Sequence, residues 1–268
     1  MSTSTLFTGG LVVDGLGNAL VRGDVLVIGD RIAGIFKGAR RPEADRSVAI
    51  DGLCIAPGFI DMHTHSDLQV LVNPDHTSKL SQGVTTEVLG QDGLSYAPID
   101  DATLIELRSQ IKGWNDDPPG FDWNWRSVAE YLKRLDGNVA VNCAYLVPHG
   151  NLRMLVMGNA ARLATPDELD QMKALLRTAL EEGGVGLSTG LTYVPAMYSD
   201  TDELVALCEV VAEYGGFYCP AHRNYGTDAL GGYAECFEIA RRSGVALHLP
   251  HTHLRFEANK GKVPQLLK

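Results

Sequence analysis

From Leu6 to about Leu53, apolar residues come in short runs: Leu11 to Val13, Asp24 to Ile28, Arg31 to Phe36 and Ser47 to Ile50. Turn signals such as Asp14-Gly15, Gly29-Asp30 and Gly38 bound them. This pattern predicts a small all-β unit over residues 1–53.

After Asp51-Gly52 the pattern changes to strand, loop and helix, repeated. That alternation is the signature of a parallel sheet covered by helices. Six strands are predicted over 54–268: Cys54 to Met62, Thr85 to Gly90, Ala140 to Val147, Val185 to Thr189, Phe217 to Ala221 and Ala246 to Pro250. Thr165-Pro166-Asp167-Glu168 reads as a capping box with proline at the first helical position, and Leu169, Met172, Leu175, Leu176 and Ala179 then share one face. Thr201 is the expected cap of the next helix, which stops at Gly215-Gly216. Such units build either a closed (β/α)8 barrel or an open doubly wound sheet. A dinucleotide fold would place GxGxxG after its first strand, whereas this strand ends in His63-Thr64-His65. The expected fold is therefore α/β, an incomplete (β/α)8 TIM-type barrel with a small N-terminal β-sandwich half-domain, since six units do not close an eight-stranded barrel.

Composition narrows the partners. The 268 residues are 45% hydrophobic and 21% charged, enough for a sizeable core. A net charge of -10 gives no footprint for nucleic acid or an anionic membrane, so a small-molecule substrate is expected. Met1 to Gly10 lacks a secretory pattern and no run is long and apolar enough for a membrane span, which reads as cytoplasmic. Cys54, Cys143, Cys208, Cys219 and Cys236 form no CxxC pair and are expected to be buried thiols. An oligomer is compatible with all of this.

The segment Pro57 to His65 carries the most chemistry. Side chains at i and i+2 of a strand share a face, so His63 and His65 point together and can grip one cation. Alone, such a pair is equally a solvated strand end. His222 and His251, however, fall just past strands five and six, and four imidazoles at the C-terminal strand ends meet where barrel active sites are built. Neutral imidazole suits zinc and related divalent metals, in a mononuclear or binuclear hydrolytic site.

With these residues in view, the chain resembles the amidohydrolase superfamily, and within it the N-acyl-D-amino-acid deacylases. Pro57 to His65 matches the superfamily's first strand. Gly83-Val84-Thr85-Thr86, Gly186 to Tyr193 and His222-Arg223 are similar to the deacylase subgroup. The resemblance implies that His63 and His65 hold one metal, that His222 and His251 hold a second, tighter one, and that activated water hydrolyses a linear amide. It also implies that Tyr193 and Arg223 lie near the substrate carboxylate, with ordinary loop packing as their other reading, and that His149 lies near the metal centre, its other and favoured reading being a loop hydrogen bond; His253 is counted with the substrate-binding residues.

Two departures stand out. Where the subgroup has a cysteine ligand after strand two, this chain has Gly90-Gln91-Asp92-Gly93. Asp92 is read as the replacing ligand, a harder donor that moves preference from zinc toward iron or manganese; its other reading is a turn residue before Gly93. The superfamily's catalytic aspartate at the end of strand eight has no counterpart before Lys268, so the sequence reads as a fragment with no catalytic acid-base residue and little expected activity. The subgroup's lysine two places after the strand-six histidine is here His253, for which Arg255 could compensate.

The aromatic insertion from Gly113-Trp114-Asn115 through Trp125 reads equally as a lid or as a helix-entry staple with Asp122 near the cap. His76 and His248 read as structural. Cyclic amide hydrolases are the runner-up function, weakened by the absence of lysine on strand four. An inactive barrel scaffold is the third reading.

Overall fold

The computed structural model describes residues 3–38 and 41–268. It divides into two compact units, Met1–Phe59 and Ile60–Lys268.

The first unit is a mixed sheet. Its strands are β1 (Ser4–Val12), β2 (Val21–Ile28), β3 (Arg31–Phe36), β4 (Arg46–Ala49) and β5 (Cys54–Ile55). They run in the order β3-β2-β1-β4, with β5 also on β1. β1–β2 and β2–β3 are antiparallel; β4 and β5 lie parallel to β1. Leu6, Val12, Val25 and Leu26 are its buried apolar side chains among the described residues.

The expected strand from Cys54 to Met62 is in fact two. Cys54 and Ile55 pair with Leu11 and Val12 in the first sheet. Only Phe59–Asp61, called β6, joins the second. Pro57 lacks an amide donor and interrupts the ladder between them. The boundary between units therefore falls after residue 59 rather than after 53.

In the second unit, strands β7 (Val84–Leu89), β8 (Asn142–Pro148), β9 (Gly186–Gly190), β10 (Phe217–Ala221) and β11 (Ala246–Leu247) follow β6 in strict sequential order. Every ladder from β7 to β11 is parallel. The helices are α1 (Gln69–Val72), α2 (Thr77–Leu80), α3 (Asp101–Asn115), α4 (Val128–Leu135), α5 (His149–Met157), α6 (Pro166–Glu181), α7 (Thr201–Glu213), α8 (Ala229–Ser243) and α9 (Val263–Leu266). This is the arc of a partial TIM barrel. The last strand is shorter than expected, with only Ala246 and Leu247 in the ladder.

Helix starts follow local chemistry. The α6 capping box is complete: Glu168 N–H donates to the Thr165 hydroxyl, and Thr165 N–H to the Glu168 carboxylate. A second box, Ser127 with Glu130, starts α4, so the cap there is Ser127 rather than Asp122. α7 is capped by Asp200, whose carboxylate accepts from Glu203 N–H; Thr201 is instead the first helical residue and donates its hydroxyl to Glu235.

The core lies between strands and helices, around Leu89, Tyr131, Tyr145, Leu176, Leu187, Leu207 and Tyr218. Complete burial of each aliphatic side chain contributes about 1.5–3 kcal/mol. Cys208, Cys219 and Cys236 are buried as expected, whereas Cys54 is exposed. His76 is structural: its Nε2 lies 3.0 Å from the fully buried Glu87, which also pairs with Lys79 at 2.9 Å. No helix among the described residues is long and apolar enough to cross a membrane.

Candidate metal centre

The centre is organised by the turn after β7. Gly90, Asp92 and Gly93 all have positive φ, at 75°, 54° and 72°. Asp tolerates the left-handed region because its short side chain bonds locally. At Gly93 only glycine serves, since a Cβ would stand 2.5 Å from the Gly190 backbone nitrogen. The Ser188 hydroxyl on β9 receives the Gly93 amide at 3.0 Å and donates to the Gly90 carbonyl, fixing the turn across the strand ends.

That turn buries Asp92 with its carboxylate toward three histidines. Oδ2 lies 3.4 Å from His65 Nε2; Oδ1 lies 3.7 Å from His251 Nε2 and 3.9 Å from His63 Nε2. His63, His65 and Asp92 offer ligand atoms within 4.8 Å of one another. Asp92 Oδ1 is buried without a hydrogen-bond partner. Burial raises the Asp92 pKa, but His251, His65 and His63 outweigh it and hold the group far below the ordinary carboxylate range.

Burial lowers His63 to about 4, against the pull of Asp92, and its ring is neutral at pH 7. Burial also penalises charged His65, yet Asp92 and then Asp67 hold its pKa above the ordinary value.

His222 follows β10 and is almost fully enclosed. Its ring packs on Tyr225 and Tyr233, at centroid distances of 4.0 and 4.2 Å. On α8, a Cβ at Gly232 would meet His222 Nδ1 at 2.6 Å, so glycine makes room for the ring. Both His222 ring nitrogens are buried without partners, and burial followed by His253 and His251 brings its pKa to about 4. Two buried, unpaired ring nitrogens are donor chemistry that suits a divalent cation. His222 stands outside the group of three that shares ligand distance. The donor set of imidazoles and carboxylate nevertheless fits a divalent metal.

A cavity of about 310 Å³ opens beside Asp92 and His251, lined also by Tyr193, Tyr225, His253 and Arg255. Tyr233 shapes this rim, its hydroxyl donating to the His251 carbonyl at 2.5 Å and accepting from the His253 amide at 2.9 Å.

Two expected site residues lie elsewhere. The Arg223 guanidinium is forked onto Glu235, with contacts of 3.0 Å from both Nε and Nη2, and Nη1 donates to the Met197 carbonyl. His149 is wholly buried, its Nε2 2.7 Å from Glu203, which also binds Arg153. Neither lines the cavity.

The aromatic insertion divides. Trp114 packs 4.5 Å from His65 and 5.5 Å from Tyr193, forming a wall of the site. Trp125 is buried and donates to the Tyr96 carbonyl at 2.8 Å, as core. Gln91 and Tyr225 were not singled out by sequence. A polar residue inside a turn gives no signal of its own, and the one sequence cue to Tyr225 is its place three residues after His222.

A family model described as "Amidohydrolase family" matches residues 47–263. The chain belongs to the amidohydrolase family. Among curated amidohydrolase relatives, it is 35% identical to a D-aminoacylase of Alcaligenes xylosoxydans xylosoxydans, over 98% of this chain and 53% of that protein. It is 37% identical to an N-acyl-D-glutamate deacylase of the same organism, over 95% of this chain and 51% of that protein. The chain thus spans about half the length of the curated relatives it matches. A solved D-aminoacylase superposes with a TM-score of 0.87 at 34% identity, covering 99% of this chain and 55% of that one. An N-acyl-D-glutamate deacylase from Bordetella bronchiseptica, complexed with zinc and a phosphonate mimic of the tetrahedral intermediate, gives 0.84 at 33%, covering 100% and 55%. An L-hydantoinase at 15% identity and a TM-score of 0.58 shares the fold alone.

Proposed function

We propose that this amidohydrolase hydrolyses N-acyl-D-amino acids through a centre of one or two divalent ions, with zinc the leading candidate. His63, His65, Asp92, His251 and His222 are the proposed ligands. The observation that carries this reading is the convergence of three imidazoles on the buried, partly unsatisfied Asp92 carboxylate. A divalent ion held there polarises a carbonyl and lowers the pKa of water toward ~7.

The chain's own residues bind and orient the substrate. Tyr193 and Tyr225 form apolar walls with polar tips, and Trp114 screens His65 from solvent. Arg255 lines the cavity without an acidic partner among the described residues, so it is the proposed contact for the substrate carboxylate. The names of the relatives support the linear N-acyl substrate class, and the lack of lysine on β9 argues against a cyclic amide hydrolase.

The test pairs metal analysis with enantiomer-resolved amine release from N-acetyl-D- and N-acetyl-L-amino acids. D-selective release that stops on chelation and returns with zinc is expected. His222→Ala should lose tightly held metal; unchanged stoichiometry in that variant, or equal turnover of both enantiomers, would refute the reading.

A further inference from the structure

Gln91 precedes Asp92 in the turn and is fully buried. Its Nε2 lies 2.9 Å from both the Met62 and the Val88 carbonyl oxygens. Carbonyls only accept, so the amide orientation is fixed, with nitrogen toward these two strand ends. Oε1 must then face the other way, where it meets His63 Nδ1 at 3.1 Å and the Cys219 thiol at 3.2 Å. An amide oxygen carries no proton, so His63 Nδ1 must be the donor. The remaining His63 nitrogen, Nε2, is the one on the Asp92 side.

We infer that Gln91 is the positioning residue of the centre: by accepting from His63 Nδ1–H it selects the tautomer and ring orientation that leave the Nε2 lone pair facing Asp92. This rests on the metal-centre reading above and deepens it. The two carbonyl anchors are Met62, just after β6, and Val88 in β7, so the amide also ties the first histidine to the turn that carries Asp92. Outer partners of this kind hold a ligating ring in one tautomer and raise its basicity; losing one costs roughly 10- to 100-fold in metal affinity. Cys219 donates its thiol to the same oxygen, so both acceptor sites of Oε1 are filled.

The test uses the full chain with 13C,15N-labelled histidine, read by NMR in the metal-free protein, together with metal titration by calorimetry. Wild type should show His63 as the Nδ1–H tautomer. Gln91→Met, of similar volume but without an acceptor, should shift His63 to a tautomer mixture and weaken metal binding roughly 10- to 100-fold. Gln91→Glu keeps an acceptor for His63 but sets its second oxygen against the Met62 and Val88 carbonyls, so where it folds it should keep the Nδ1–H tautomer while lowering the melting temperature. A folded Gln91→Met protein with unchanged tautomer and affinity would overturn the inference, as would loss of the Nδ1–H tautomer in Gln91→Glu. Should wild type hold no metal, the metal reading falls, while the tautomer comparison still decides the role of Gln91.

Discussion

The rings of His63 and His251 lie 4.3 Å apart, although they follow β6 and β11, the strands at opposite edges of the six-stranded sheet. Strands in a flat sheet are spaced about 4.8 Å apart, so such edges would stand roughly 24 Å from each other. The sheet must therefore curl, and its curvature places the first and last histidines over one carboxylate.

Asp92 is the shared member of that cluster, and Asp92→Ala should lower metal affinity by more than ~10-fold, beyond what loss of an outer partner costs. Asp92→Cys should retain metal and move its preference toward zinc, because a thiolate is softer than a carboxylate. Competition between zinc and manganese, read by elemental analysis, checks both outcomes.

The two arginines should separate in kinetics. Removing a hydrogen bond to a charged group costs about 1.5–3 kcal/mol, so Arg255→Ala should raise KM for an N-acyl-D-amino acid roughly 10- to 100-fold with little change in kcat. Arg223→Ala should instead lower the melting temperature, since its guanidinium is committed to Glu235. A rise in KM confined to the Arg223 variant would reverse the assignment.

Trp125 and Trp114 divide structure from site. Trp125→Ala should cost about 3–5 kcal/mol in urea unfolding, the usual range for a buried tryptophan. Trp114→Ala, at a half-buried position beside His65, should cost much less while altering activity.

Acid should expose the α6 cap. Hydrogen bonds from Arg162 and then from the Thr165 amide lower Glu168 from 4.5 to about 2. A depressed carboxylate stabilises the fold above its unfolded pKa and loses that contribution as pH falls toward the folded value. The melting-temperature gap between wild type and Glu168→Gln should thus be full above about pH 5 and shrink steadily toward pH 2. A gap independent of pH would refute the assignment.

Much of this was legible in sequence because it is local. The i, i+2 spacing put His63 and His65 on one face, the capping box marked α6, and turn residues separated the strands. Legibility failed where a third party decides. Apolar periodicity does not say which sheet a strand joins, and Cys54-Ile55 went to the first sheet. Arg223 looked free until α8 brought Glu235 against it, and His149 looked available until α7 supplied Glu203. Gln91 was invisible because its role depends on the Val88 carbonyl and on the Met62 carbonyl and His63 imidazole of a segment nearly thirty residues earlier.

The curl that joins His63 to His251 also orders events in time. Those rings can approach only after the four intervening strands have been laid down in register, and pairings so distant along the chain are slow to form. His63, His65 and Asp92 share ligand distance without His251, so a cation there would be gripped in two stages, by the first three groups and then more tightly once β11 brings His251 onto the same carboxylate.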